Sequence, residues 1–152
     1  VTSGLEHITA LFSEISLSEN FMEGAPKELK DLFDWHAAEE IEHRAVAFDV
    51  LNNVSSNFAL RVYGLVHAYF IMSVCSSFFT VYLLHQDKLL FNKNTFKDFV
   101  KLFFIEEKLF FKAISIFFRY LDPNFHPDKE ELSHLGEDIL NSFSVNLSVV
   151  TQ

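Results

Sequence analysis

Three glutamates and two histidines fall within the eight residues His36-Ala37-Ala38-Glu39-Glu40-Ile41-Glu42-His43. On a helix turning about 100° per residue, His36, Glu40 and His43 lie within about 60° of one another. The same face carries Leu29, Phe33, Ala47 and Leu51, so the polar trio interrupts a stripe that reads as core-facing. Burying a carboxylate beside imidazoles is costly unless the charges are compensated, and a bound divalent cation compensates them directly. Glu40-Ile41-Glu42-His43 also has the Glu-x-x-His spacing with which helical di-metal sites set an oxygen and a nitrogen ligand one turn apart. The plainer alternative is a solvated charged face.

Two neighbours compete for roles in this cluster and are the candidate catalytic residues. Glu39 lies at i−4 from His43 and replaces Glu40 as ligand after a modest helix rotation, although the spacing favours Glu40. His36 is open to four readings: an additional ligand, a proton shuttle, a hydrogen-bond donor to a ligand, or a hydrogen-bonded core histidine. Glu42 and Asp49 project to the opposite side, where pairing with Arg or Lys is expected. Glu6 shares its face with the small residues Thr2, Thr9, Ala10 and Ser13. Such neighbours leave room for a metal or a substrate, and they equally describe a plain solvent face. His126, between Phe125 and Pro127, is expected on a surface turn, with a pocket-facing imidazole as the alternative.

The elements that must position these residues are helices. Only four Gly and three Pro punctuate the chain, and no alternating pattern persists between hairpin-type turns. The pattern predicts helices from about Thr2 to Leu17, Pro26 to Leu51, the Asn52–Asn57 break to Leu84, and Asn94 or Thr95 to Tyr120, where Asp122-Pro123 stops the last. A short helix is expected around Glu130 to Leu140, followed by a polar tail. With 152 residues and 49% hydrophobic content, the default is one domain, 1–152, with a sizeable core.

Leu5-Glu6-His7-Ile8-Thr9-Ala10, the Trp35-to-Val50 stretch and Tyr120-Leu121-Asp122-Pro123-Asn124-Phe125-His126-Pro127 occur in an order that resembles the bacterial predicted metal-dependent hydrolases, which look ferritin-like. Trp-His followed by Glu-Glu-x-Glu-His and Val-Ala-Phe-Asp is the specific part, while Asp122 and Asn124 depart from the usual wording of the Phe-His-Pro element. The resemblance covers most of this chain but only the C-terminal portion of a typical member. It implies a ferritin-like bundle, all-α, of which this chain holds half. It also implies a di-metal site in which Glu6 is the single carboxylate of one helix and Glu40 with His43 the pair on the next. The other half of the ligand set would come from a missing N-terminal half or from a second copy in a homo-oligomer. The implied cofactors are two divalent transition metals, iron first, with manganese or zinc as alternatives.

Val62 to Leu84 contains no Asp, Glu, Lys or Arg, a length that satisfies a membrane span and also suits a central core helix. In the predicted fourth helix, Lys97, Lys101, Lys108, Lys112 and Arg119 group with Phe104, Phe111 and Phe118. That pattern suits peripheral contact with anionic lipid, or lysine stems lying over rings at an ordinary surface. Phe99, Phe103, Phe110 and Phe117 on the other side are expected in the core. A formal charge of −9 argues against nucleic acid as a partner, and the single Cys75 excludes an intrachain disulfide. The expected location is the cytoplasm, at the inner face of the membrane if the contact is real.

These expectations favour an enzyme that uses paired metals to activate water for hydrolysis of a small apolar substrate. A di-iron oxidase or oxygenase is the close alternative, because the ligands are carboxylate-rich. A non-catalytic, membrane-associated binding module is the third.

Overall fold

The computed structural model describes residues 1–106, 108–129, 135–141 and 143, and among these residues every regular element is helical. In chain order they are α1 (Thr2–Ser18), α2 (Lys27–His43), α3 (Val46–Val54), α4 (Phe58–Gln86), α5 (Lys93–Val100), a π-helical segment (Lys101–Ile105), α6 (Leu109–Tyr120) and a 3-10 turn (Pro127–Lys129). Residues 135–141 are again helical. The expected stretch 130–134 and the tail from 144 lie outside the described residues.

α1 is the hub, touching α2, α3, α4 and α6. Its buried residues Gly4, Ile8, Leu11 and Ile15 recur every three or four positions, the spacing that lays one face against neighbours. Leu11 and Ile15 meet Ile116, Leu109 and Ala113 of α6. A second cluster joins Phe48 of α3, Leu65 of α4 and Tyr120 of α6, with Phe117 and Phe125 packed against it. Each such fully buried large side chain contributes about 1.5–3 kcal/mol relative to exposure. Gly4 permits the tightest approach: a Cβ there would stand 2.9 Å from the Leu65 Cα and 3.1 Å from the Ala68 Cβ.

The expected single helix from Pro26 to Leu51 is two helices, because Arg44 interrupts it. Its buried guanidinium turns back, with Nη1 donating to the Ile41 carbonyl at 2.5 Å and Nε to the Pro127 carbonyl at 3.1 Å. A helix-end carbonyl thereby gains a side-chain partner and α3 starts afresh at Val46. After the Ser55–Asn57 break, the Asn57 side chain accepts from the amides of Ala59 and Leu60 at 2.9 and 3.2 Å and starts α4.

The expected continuous fourth helix is also broken. It widens into the π segment, and Lys108 takes a left-handed φ of 52° before α6 begins. The basic and aromatic residues assigned to one side of one helix therefore divide between two. Lys112 pairs with Glu19, and Arg119 reaches Glu14 of α1 at 2.9 Å, so the α6 cations serve the bundle. Phe117 does pack, edge-on to Tyr69 at 4.8 Å between ring centres, whereas Phe99 and Phe110 are exposed rather than core.

Candidate functional site

Glu6 on α1 and Glu40 and His43 on α2 line one open depression, whose remaining walls are Thr2 and the α3 residues Val46, Ala47 and Val50. Two facts of local structure bring this about. The packing of α1 along α2 sets the first turns of one beside the last turn of the other, and the i to i+3 spacing lifts Glu40 and His43 to the same side. Small or β-branched residues on α3 then leave the hollow open. Glu6 and Glu40 are half-buried and His43 is exposed.

His36 stands at the edge. Its Nε2 is 3.6 Å from Oε1 of Glu40 and its side chain is 64% exposed, beyond hydrogen-bond length but close enough to feel that carboxylate. Glu39 is half-buried and, like His36, does not line the depression. Leu29 and Phe33, expected to face the core along with this cluster, are 42% and 50% exposed. The α2 part of the stripe is thus surface, while Ala47 and Leu51 on α3 are half-buried.

Glu42 is exposed on another side, next to Arg44 and Asp128, as the helical pattern placed it. Asp49 pairs with His126 rather than with Arg or Lys, Oδ1 to Nε2 at 2.9 Å. His126 is anchored further by its ring lying edge-on to Phe48, so this turn residue latches the segment after α6 onto α3.

Two groups that the spacing alone did not single out are central to the interior. His7 is buried, its Nε2 donates to the Ile116 carbonyl at 3.1 Å, and desolvation by burial lowers its pKa to about 4. Arg61 is buried at the start of α4, with its guanidinium over the rings of Phe48, Phe58 and Tyr120 and Nη2 donating to the Asp122 carbonyl at 2.6 Å. The available signals were the small residues Ser3 and Gly4 beside His7 on α1, and a lone cation at the edge of an uncharged run.

Two carboxylates and an imidazole are the donor chemistry of divalent transition metals. They fit in kind and in placement around one hollow. They are not a closed cage, because no group of three or more His, Cys, Asp or Glu among the described residues converges on one point.

Fold and hollow together define an all-helical protein whose acidic and imidazole side chains face a common depression. Residues 1–131 match the family described as predicted metal-dependent hydrolase, and the chain belongs to that family. Membership implies a metal cofactor and a metal-dependent hydrolase role. No curated protein and no solved structure matches the chain.

Proposed function

We propose that Glu6, Glu40 and His43 are the metal-holding residues of this hydrolase, that the site takes two metals, and that the apolar α3 wall receives a small apolar substrate. The observation that carries this reading is the shared depression: three side chains from two helices, distant in sequence, line one hollow. The metal, iron first by the carboxylate-rich set, would supply Lewis-acid polarisation and activation of water.

The chain's own residues would do the rest. The Glu6 and Glu40 carboxylates and the exposed His43 imidazole bind. His36, at the rim 3.6 Å from Glu40, relays a proton at Nε2, and Glu39 stands one position away as a reserve base. Val46, Ala47 and Val50 exclude water from one side of a bound substrate. The open side requires further ligands, which a second copy of the chain or additional chain would bring.

Elemental analysis of purified variants tests this. Glu6→Ala, Glu40→Ala and His43→Ala are expected to lose most bound transition metal, and Glu42→Ala to retain it. Equal metal content in all four overturns the assignment. The carboxylate excess also favours a second reading, a di-iron oxidase. Dioxygen consumption by the iron-loaded protein without ester or amide cleavage would select it.

A further inference from the structure

α4 leaves the bundle halfway along its length. Its buried residues, Arg61, Gly64, Leu65 and Ala68, all lie in the first eleven positions. From Ser73 to Leu83 every residue is exposed, around the full circumference of the helix. That part includes Val74, Phe78, Phe79, Val81 and Tyr82 and contains no Asp, Glu, Lys or Arg. Only 17% of the most apolar window of α4 is buried. A partner helix would cover one stripe. Ser73, Ser76, Ser77 and Thr80 form one stripe of it. The remaining arc, with Val74, Phe78, Phe79, Val81, Tyr82 and Leu83, is apolar over more than half the circumference and left bare by the described residues, a breadth that suits an apolar medium.

The return limb has a different character. Lys93, Lys97 and Lys101 recur every four residues and form one row along α5 and into the π segment. Phe96, Phe99 and Phe103 form the adjoining row. Phe96 and Phe99 are exposed, as is Phe91 at the turn, which is 93% exposed. Lys88, Lys93 and Lys97 make no ion pair among the described residues, whereas Lys101 pairs with Glu106 at 2.7 Å. Residues 88–101 hold four lysines and one acid, Asp98, in a chain of net charge −9. Cations flanking aromatic rings on a short amphipathic helix complement anionic headgroups.

Connectivity limits how this limb can meet a bilayer. The chain that leaves after Ala68 is back in the bundle by Ala113 and Ile116, which pack on Leu11 and Ile15. A full crossing by α4 would force the lysine-bearing limb back through hydrocarbon. From these relations we infer that the distal half of α4 with α5 is a membrane anchor embedded in one leaflet, the apolar α4 surface among acyl chains and the α5 lysine row against anionic headgroups. The anchor is independent of the metal assignment. It holds the bundle, with its hollow, at a lipid surface.

Vesicle flotation of the whole chain tests this, comparing phosphatidylcholine alone with phosphatidylcholine containing phosphatidylglycerol. Binding is expected to the anionic vesicles, to weaken as salt is raised, and to fall roughly tenfold or more in Lys93→Glu/Lys97→Glu. In Trp35→Phe/Phe79→Trp the single indole should shift to the blue on binding and be quenched by brominated acyl chains. These substitutions lie on exposed positions, and circular dichroism checks that the helices persist. Absence of flotation with either vesicle overturns the anchor, and a concentration-dependent oligomer in that case identifies a second copy as the cover. Labelling of Lys88→Cys from the far side of sealed vesicles overturns the one-leaflet arrangement in favour of a span.

Discussion

The imidazole of His7 on α1 donates from Nε2 to the carbonyl of Ile116 on α6, 3.1 Å away, and its burial inside the bundle holds it neutral against the pull of that carbonyl. The tilted Tyr120 ring, 4.7 Å away, and the edge of Phe125, 5.4 Å away, complete an apolar surround. Loss of hydration in this surround, with the charge of Arg119, opposes a second proton by more than the Ile116 carbonyl favours it.

The sign of the pH dependence follows. Burial lowers the folded-state pKa of His7 from 6.5 to about 4, so the unfolded chain binds a proton at a higher pH than the folded chain does. The stabilisation is complete above the unfolded value, falls as pH drops from 6.5 and is fully lost below about 4. The loss amounts to about 3 kcal/mol over that window. Urea unfolding at pH 7 and pH 4.5 should show the difference, and His7→Gln should flatten the slope contributed here. An unchanged slope in that variant would mean that another group controls acid stability.

The α1–α4 crossing depends on Gly4. A methyl group there would sit 2.9 Å from the Leu65 Cα and 3.0 Å from the Gly64 carbonyl oxygen, both backbone atoms that cannot swing aside. Gly4→Ala is therefore expected to destabilise by about 1–3 kcal/mol despite the higher helix propensity of alanine. At Gly24, in a turn with a φ of 82°, an added Cβ would point into open space. Gly24→Ala should still cost about 1 kcal/mol, through backbone strain alone. Thermal unfolding of the two variants compares steric with conformational cost.

Ser3 and Tyr120 tie α1 to α6 by a buried hydroxyl pair, Oγ to the phenolic oxygen at 2.7 Å. Ser3→Ala and Tyr120→Phe should each destabilise by about 1 kcal/mol, and the double variant by less than their sum. Strict additivity in this cycle would show that the hydroxyls are not coupled.

At the hollow, the positions of Glu39 and Glu40 separate their roles. Glu40→Ala should reduce metal content, because Glu40 lines the depression, while Glu39→Ala and His36→Ala should keep the metal and lower turnover. Proton transfer by a positioned side chain is typically worth about 10²–10⁴-fold, which sets the scale of the expected loss. Metal loss in Glu39→Ala equal to that in Glu40→Ala would indicate that α2 is rotated in the loaded protein.

Much of this molecule was legible as sequence, for reasons of local geometry. Helical content, the extents of α1 and α4 to within two residues, and the common face of Glu40 and His43 follow from periodicity and from a fixed rotation per residue. The family was legible in the Trp-His and Glu-Glu-x-Glu-His wording, and residues 1–131 match it. Other features depend on partners far along the chain, which periodicity does not encode. Glu6 looked no different from a solvent-face glutamate until α1 lay beside α2. Arg44 breaks a helix because the Pro127 carbonyl, 83 positions away, shares its guanidinium with Ile41. Leu29 and Phe33 have the spacing of core residues yet stand half exposed, since a helical pattern states which side is apolar and not whether anything covers it. The same holds for α4, whose uncharged run suits a core or a bilayer equally well. Only the tertiary structure, by burying its first turns and leaving the rest bare, distinguishes the part that belongs to the bundle from the part that does not.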